Sequence, residues 1–168
     1  DIGTKKDLVL YRLQTARADL KSAGILLEAE EYKGANNRAY YAIFHAINAI
    51  HAVSGKAYKR HKDAIANFNK DYVKTEIFPR EIGRQIGESE EIRHASDYDD
   101  FYITSREESE RQVQVAEQFI ELAERISTIL NLDYCGLDFM FDKDGSPIFN
   151  EINANAFFEF PIKSSASA

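Results

Sequence analysis

Apolar residues recur at helical spacing in separate blocks along most of the chain. Leu13, Ala16, Leu20, Ala23 and Leu27 follow at alternating steps of three and four, which predicts one apolar face on a helix over residues 6–28. "EEYKGANN" (30–37) interrupts the pattern, because Gly34 and two asparagines favour a turn. A second helix is predicted over 37–53, with Tyr40, Ile43, Ile47 and Ile50 on one stripe. Ala39, Ala42, Ala46 and Ala49 lie between them, so another helix can approach closely. "SGK" (54–56) ends it. A third, shorter helix follows over 61–70, with Ile65 and Phe68 inward. Pro79 suits the first turn of a fourth, over 79–95, carrying Ile82, Ile86 and Ile92. "SDYDDFYITS" (96–105) reads as a loop, and Ser105 with Glu108 as a capping box. The last helix then runs to Leu130, its apolar face built from Val115, Phe119, Leu122, Ile126 and Ile129.

Five amphipathic helices in succession predict a mainly α protein, an antiparallel helical bundle over residues 1–130. Beyond residue 130 the period changes from about 3.6 to about 2. "FMFDKDGSPIFNEI" reads as a β-hairpin closed around Asp144–Gly145. Residues 131–168 are therefore expected to form a C-terminal hairpin appendage and tail. A lone hairpin is marginal in water, so it must dock on the bundle, a second copy or another chain.

The length of 168 residues allows one compact domain with a small appendage. No run of 18 apolar residues is present, so no membrane span and no membrane partner are expected. Cys135 is the single cysteine and cannot form an internal disulfide. Together with the absence of a secretory signal, it points to a reducing, cytoplasmic location. Residues 1–130 hold 19 Lys+Arg and 22 Asp+Glu, a balance of −3, and residues 131–168 hold 2 and 6, a balance of −4. An acidic chain is not a general nucleic-acid binder, but it can carry a local basic strip. "KAYKRHK" (56–62) is one candidate, with Tyr58 and His61 interleaved. The same residues also fit a solvated loop and helix start.

"LYRLQTARADLKSAGILLEAEEYKGANNRAYYAIFHAINAIHAVSG" resembles the HEPN family of helical domains. "KRHKDAIANFNKDYVKTEIFPREIGRQI" and "IRHASDYDDFY" extend that resemblance in the same order, over residues 5–130. It implies a HEPN-type antiparallel bundle, a homodimer, and pairing with a small nucleotidyltransferase of toxin–antitoxin type. Active members of the family are metal-independent RNases that use an arginine and a histidine with four to six residues between them, brought together across a dimer.

Two places in the chain can hold such a pair. Arg38 and His45 are seven positions apart, which returns them to nearly the same helix face about 10 Å along the axis. Tyr41 lies between them. The other reading of this segment is aromatic packing, with polar edges satisfied internally. The second place is Arg93, followed by His94, Asp97 and Tyr98. Here a tyrosine stands where the family motif carries histidine. That matters because attack by a ribose 2′-hydroxyl needs a base titrating near neutrality, and a free tyrosine titrates near pH 10. Arg93 can still hold a phosphate. Alternatively it pairs with Asp97 or Asp99 at the end of the fourth helix. Arg93 to Tyr98 is taken as the functional surface, and residues 36–51 as the core and dimer-forming element.

"GLDFMFDKDGSPIFNEINANAFFE" looks like the C-terminal end of an ATP-grasp ligase. The resemblance implies magnesium ligation by Asp138, Glu151 and Asn153. Oxygen ligands suit magnesium, and residues two apart on a strand share a face. No nucleotide clamp or phosphate-cradling loop precedes them, so a complete ligase is not expected, and any magnesium would be held weakly. Together these readings predict a dimeric HEPN-type RNA-binding protein of a toxin–antitoxin or defence-like system, a weak metal-independent RNase that requires no cofactor. The alternative is a non-catalytic docking module for a nucleotidyltransferase or ATP-grasp partner.

Overall fold

The computed structural model describes residues 3–133. They form five α-helices: α1 Lys5–Glu28, α2 Tyr32–Val53, α3 His61–Phe68, α4 Arg80–Tyr98 and α5 Arg106–Asp133. A π-helical turn, Asn69–Val73, extends α3. There is no strand among the described residues. The predicted hairpin, with Asp138, Glu151 and Asn153, lies outside the described residues.

α1 begins on a complete capping box: Thr4 Oγ1 accepts from the Asp7 backbone N–H at 3.2 Å, and Asp7 accepts from the Thr4 N–H at 2.7 Å. α1 and α2 then pack antiparallel. Early residues of one meet late residues of the other: Arg12 donates to the Asn48 carbonyl at 2.7 Å, Asp19 meets Arg38, and Leu26 lies against Gly34. α4 repeats this against α2, where Arg93 reaches Tyr41 and Asp97 reaches Asn37. α2 is the central element. Its alanines 35, 39, 42, 46, 49 and 52 are all buried, as are Ile43, Ile47 and Ile50. Small side chains let neighbouring helices come near on several sides at once.

A second core cluster is aromatic. Phe68 is fully buried, with its ring centroid 4.9 Å from Phe78, 5.6 Å from Tyr72 and 5.7 Å from Phe119. This cluster joins α3, the π turn, the segment before α4, and α5. α5 is also tied by the buried Ser89 hydroxyl, which donates to Gln112 at 2.6 Å.

Four sequence expectations need correction. The turn is not over 30–37: α2 already begins at Tyr32, and the reversal is made by Ala29–Glu31 with Glu30 at φ 62°. Gly34 serves close packing, since a Cβ there would stand 3.3 Å from the Leu26 side chain. Asn36 is a buried helical residue whose amide donates to Thr104 at 3.0 Å. α4 runs on to Tyr98 rather than ending at 95, so Asp97 and Tyr98 are helical residues and not loop residues. Pro79 stands at the N-cap of α4, just before its first turn. The Ser105–Glu108 cap is formed on one side. Ser105 Oγ accepts from the Glu108 N–H at 3.1 Å, while the Glu108 carboxylate accepts from Thr104 and Tyr102.

Candidate functional site

Periodicity fixes where the polar residues of α2 must lie. With its alanines and isoleucines turned inward, Asn37, Arg38, Tyr41 and His45 are left on a half-exposed stripe. α1 presents Asp19 to that stripe, and α4 presents Arg93 and Asp97. The result is one connected network. Asp19 Oδ1 accepts from Arg38 Nη1 at 3.1 Å, and its Oδ2 lies 3.4 Å from His45 Nε2. Arg38 also donates through Nε and Nη2 to Asn37 Oδ1, at 3.2 and 2.7 Å. The Asn37 amide donates to both Asp97 oxygens at 3.2 and 3.0 Å. Arg93 Nε lies 3.2 Å from Asp97 Oδ2, near enough for an ion pair but off the line of a hydrogen bond. Its Nη2 donates to the Tyr41 hydroxyl at 3.3 Å.

Tyr41 is the hub. The Arg38 guanidinium sits 4.8 Å from its ring centroid and the Arg93 guanidinium 5.6 Å. Arg93 also lies 5.6 Å from the Tyr40 ring. The two candidate sites from the sequence therefore form one surface, sharing Tyr41 and bridged by Asn37. Within the second candidate the residues divide. Arg93 and Asp97 turn toward α2, whereas His94 and Tyr98 are exposed, their rings 4.9 Å apart. Tyr98 still has its ring 5.8 Å from the Arg93 guanidinium. A shallow groove on that outer side is lined by Glu90, Glu91, His94 and Asp99, and its carboxylates do not suit an anion.

Three members were not singled out from the sequence: Asp19, Asn37 and Tyr40. Asp19 carried a weak signal, as the acid of α1 placed to meet the basic residues of α2. His61, noted only as part of the basic strip, reaches the same place from α3. It stacks on Phe44 with centroids 3.8 Å apart and planes 21° apart, and its Nδ1 lies 3.2 Å from the Tyr40 hydroxyl. Tyr40 is 3 % exposed, and burial pushes its phenol up to about 12, so it is neutral near pH 7. Among the described residues no group of His, Cys, Asp and Glu could hold a metal ion.

Burial lowers the affinity of three imidazoles for protons. It is the first cause at His45, opposed by Asp19; at His51, opposed by its bond with the Ala64 carbonyl; and at His61, where Arg93 lowers it further. All three therefore bind protons more weakly in the folded chain than in the unfolded one. Their contribution to stability is complete above about pH 6.5 and is lost as pH falls through each folded value. Urea midpoints are expected to fall from pH 7 to pH 5, and His51→Gln to flatten that slope. A midpoint independent of pH over this range would contradict it.

Comparison with known proteins places these residues in context. The family model described as HEPN domain matches residues 9–126. A RimK-like ATP-grasp domain model matches residues 96–165. A UPF0332 protein of Thermotoga maritima is 30 % identical over 125 residues, covering 74 % of this chain and 95 % of that protein. The protein named "Putative toxin MJ0605" of Methanocaldococcus jannaschii is 33 % identical over 109 residues, 65 % of this chain and 81 % of its own. An uncharacterized Mycoplasma genitalium protein, MG012, is 56 % identical over 34 residues, 20 % of this chain and 12 % of that protein. No helix among the described residues is long and apolar enough to cross a membrane.

Proposed function

We propose that this chain, which belongs to the HEPN domain family, is a toxin-like protein that binds single-stranded RNA and cleaves it slowly, without a metal ion, at the Arg93 site. The observation that carries the reading is the gathering of Arg38, Arg93, His45 and His61 around the Tyr40–Tyr41 rings. Guanidinium groups hold phosphate through paired N–H donors, and aromatic faces stack unpaired bases. Arg93 donates through Nη2 to the Tyr41 hydroxyl and lies beside the Asp97 carboxylate as an ion pair, and both partners can release it to a phosphate. The name of the Methanocaldococcus relative supports the toxin-like part.

The active form is a homodimer. Phe101 and Ile103 are 92 % and 91 % exposed, beside the C-terminal end of α4, and a second copy would cover them. Light scattering at tens of micromolar is expected to give a dimer mass, and a monomer mass would contradict this. The same two side chains also support a second reading: docking of a nucleotidyltransferase or an ATP-grasp protein without catalysis. The match to an ATP-grasp family model supports a weak magnesium site at Asp138, Glu151 and Asn153, not needed for RNA cleavage.

Induced expression tests the toxin reading. Wild-type chain is expected to arrest growth and Arg93→Ala to relieve the arrest at equal soluble yield. Unimpaired growth with abundant soluble wild-type protein would favour the docking module.

A further inference from the structure

We propose that His61 is the proton-transfer residue of the Arg93 site, taking the place of the histidine that the chain lacks at position 98. The inference rests on the RNA-cleaving reading above, and its basis is geometric. The His61 ring centroid lies 6.1 Å from that of Tyr40 and 5.8 Å from that of Tyr41. The Arg93 guanidinium is 5.6 Å from each of the same two rings. Imidazole and guanidinium thus share one two-ring platform, although they come from α3 and α4. His94 follows Arg93 in sequence but lies on the exposed side of α4 with Tyr98.

The ring of His61 is held and its chemistry set by neighbours. Phe44 stacks on one face. Nδ1 faces the Tyr40 hydroxyl at 3.2 Å, and Nε2 has no hydrogen bond among the described residues. When Nδ1–H donates to the Tyr40 oxygen, Nε2 presents its lone pair. In that arrangement Tyr40 is a positioning residue, the acceptor that holds the tautomer in which Nε2 is a base. The charged and titratable groups facing His61 are Arg93 and Glu90 on α4, with Tyr40, Tyr41 and His45 on α2. Burial and Arg93 keep the ring neutral at pH 7, the form a base requires.

The approach to His61 is also basic. Lys59, Arg60 and Lys62 flank it, all exposed, and their side chains form no ion pair or hydrogen bond among the described residues. The other arginines of the bundle are engaged, most of them with carboxylates. An RNA backbone can therefore run along the start of α3 without displacing a carboxylate, and reach His61 with a phosphate near Arg93.

The step balances without further reagents than water. Nε2 takes the proton of a ribose 2′-hydroxyl, and the 2′-oxygen forms a bond to phosphorus. The bond from phosphorus to the 5′-oxygen breaks, leaving a 2′,3′-cyclic phosphate. The departing oxygen takes a proton from water, and the resulting hydroxide removes the proton from His61.

Single-turnover cleavage of a single-stranded RNA tests this, together with binding of its 2′-O-methyl analogue and nitrogen NMR of the His61 ring. His61→Gln is expected to slow cleavage about 10²- to 10⁴-fold with analogue affinity nearly unchanged. The wild-type rate should fall with acid through a midpoint below about 6.5, and the His61 ring should titrate with it. Tyr40→Phe should shift the ring toward the Nε2–H tautomer and slow cleavage less than His61→Gln does. Arg93→Ala should raise the midpoint of the His61 titration. Cleavage that survives His61→Gln but is lost in Arg93→Ala would overturn this assignment and leave the proposed function standing. A wild-type chain that cleaves no RNA would overturn both. An Nε2–H tautomer in the wild type would overturn the assignment of Nε2 as the base.

Discussion

Replacing Phe68 by alanine is expected to cost about 3–5 kcal/mol of folding stability. The ring is completely buried and touches partners from several elements: Tyr72, Phe78, Phe119, and His51 with a centroid distance of 6.3 Å. Removing it opens a cavity that no single helix can close by shifting, because its walls belong to α2, the π turn, the segment before α4 and α5. Aromatic contacts add to the loss of buried area. Phe68→Leu keeps most of the volume and should cost much less. Phe44→Ala is a different case. Phe44 is also buried, and its loss frees His61 from the ring it stacks on, so it should impair both stability and the site. Urea denaturation measures these differences. An unchanged midpoint in Phe68→Ala would mean that the aromatic cluster does not hold the bundle together.

The core was legible because burial imposes a period. Ile43, Ile47, Ile50, Phe68 and Phe119 all fall at positions that helical spacing assigns to the interior. Boundaries were less legible because tertiary partners overrode local preference. Gly34 and Asn36 read as turn residues in isolation, yet one allows Leu26 to approach and the other bonds Thr104. The site was legible only in part. Arg93 with Asp97, and Arg38 with His45, are pairs within a helix and follow from spacing. That they share Tyr41 depends on how α4 lies against α2, which no local pattern encodes. Asp19 and His61 join them from α1 and α3, so their roles appear only when the helices are assembled.

Arg93→Ala is expected to reduce RNA cleavage by about 10²- to 10³-fold, the size of effect seen when one donor to a developing anion is removed. The change should cost little stability. Arg93 is partly exposed at 21 %, and its pair with Asp97 is an exposed-side i,i+4 contact of a kind that contributes about 0.3–0.5 kcal/mol. Arg93→Lys should restore little of the rate. A lysine keeps the charge but cannot present a planar fork to a phosphate while remaining against the Tyr40 and Tyr41 rings. Loss of a phosphate contact should also make analogue binding less sensitive to salt.

The most direct measurement is single-turnover cleavage of a labelled single-stranded RNA in EDTA, comparing the wild-type chain with Arg93→Ala and Arg38→Ala. The expected result is slow wild-type cleavage unaffected by EDTA, reduced about 10²- to 10³-fold by Arg93→Ala and weakened less by Arg38→Ala, whose guanidinium shares the Tyr41 ring. Cleavage that EDTA removes, or that persists in Arg93→Ala while Arg38→Ala abolishes it, would contradict a metal-independent site centred on Arg93.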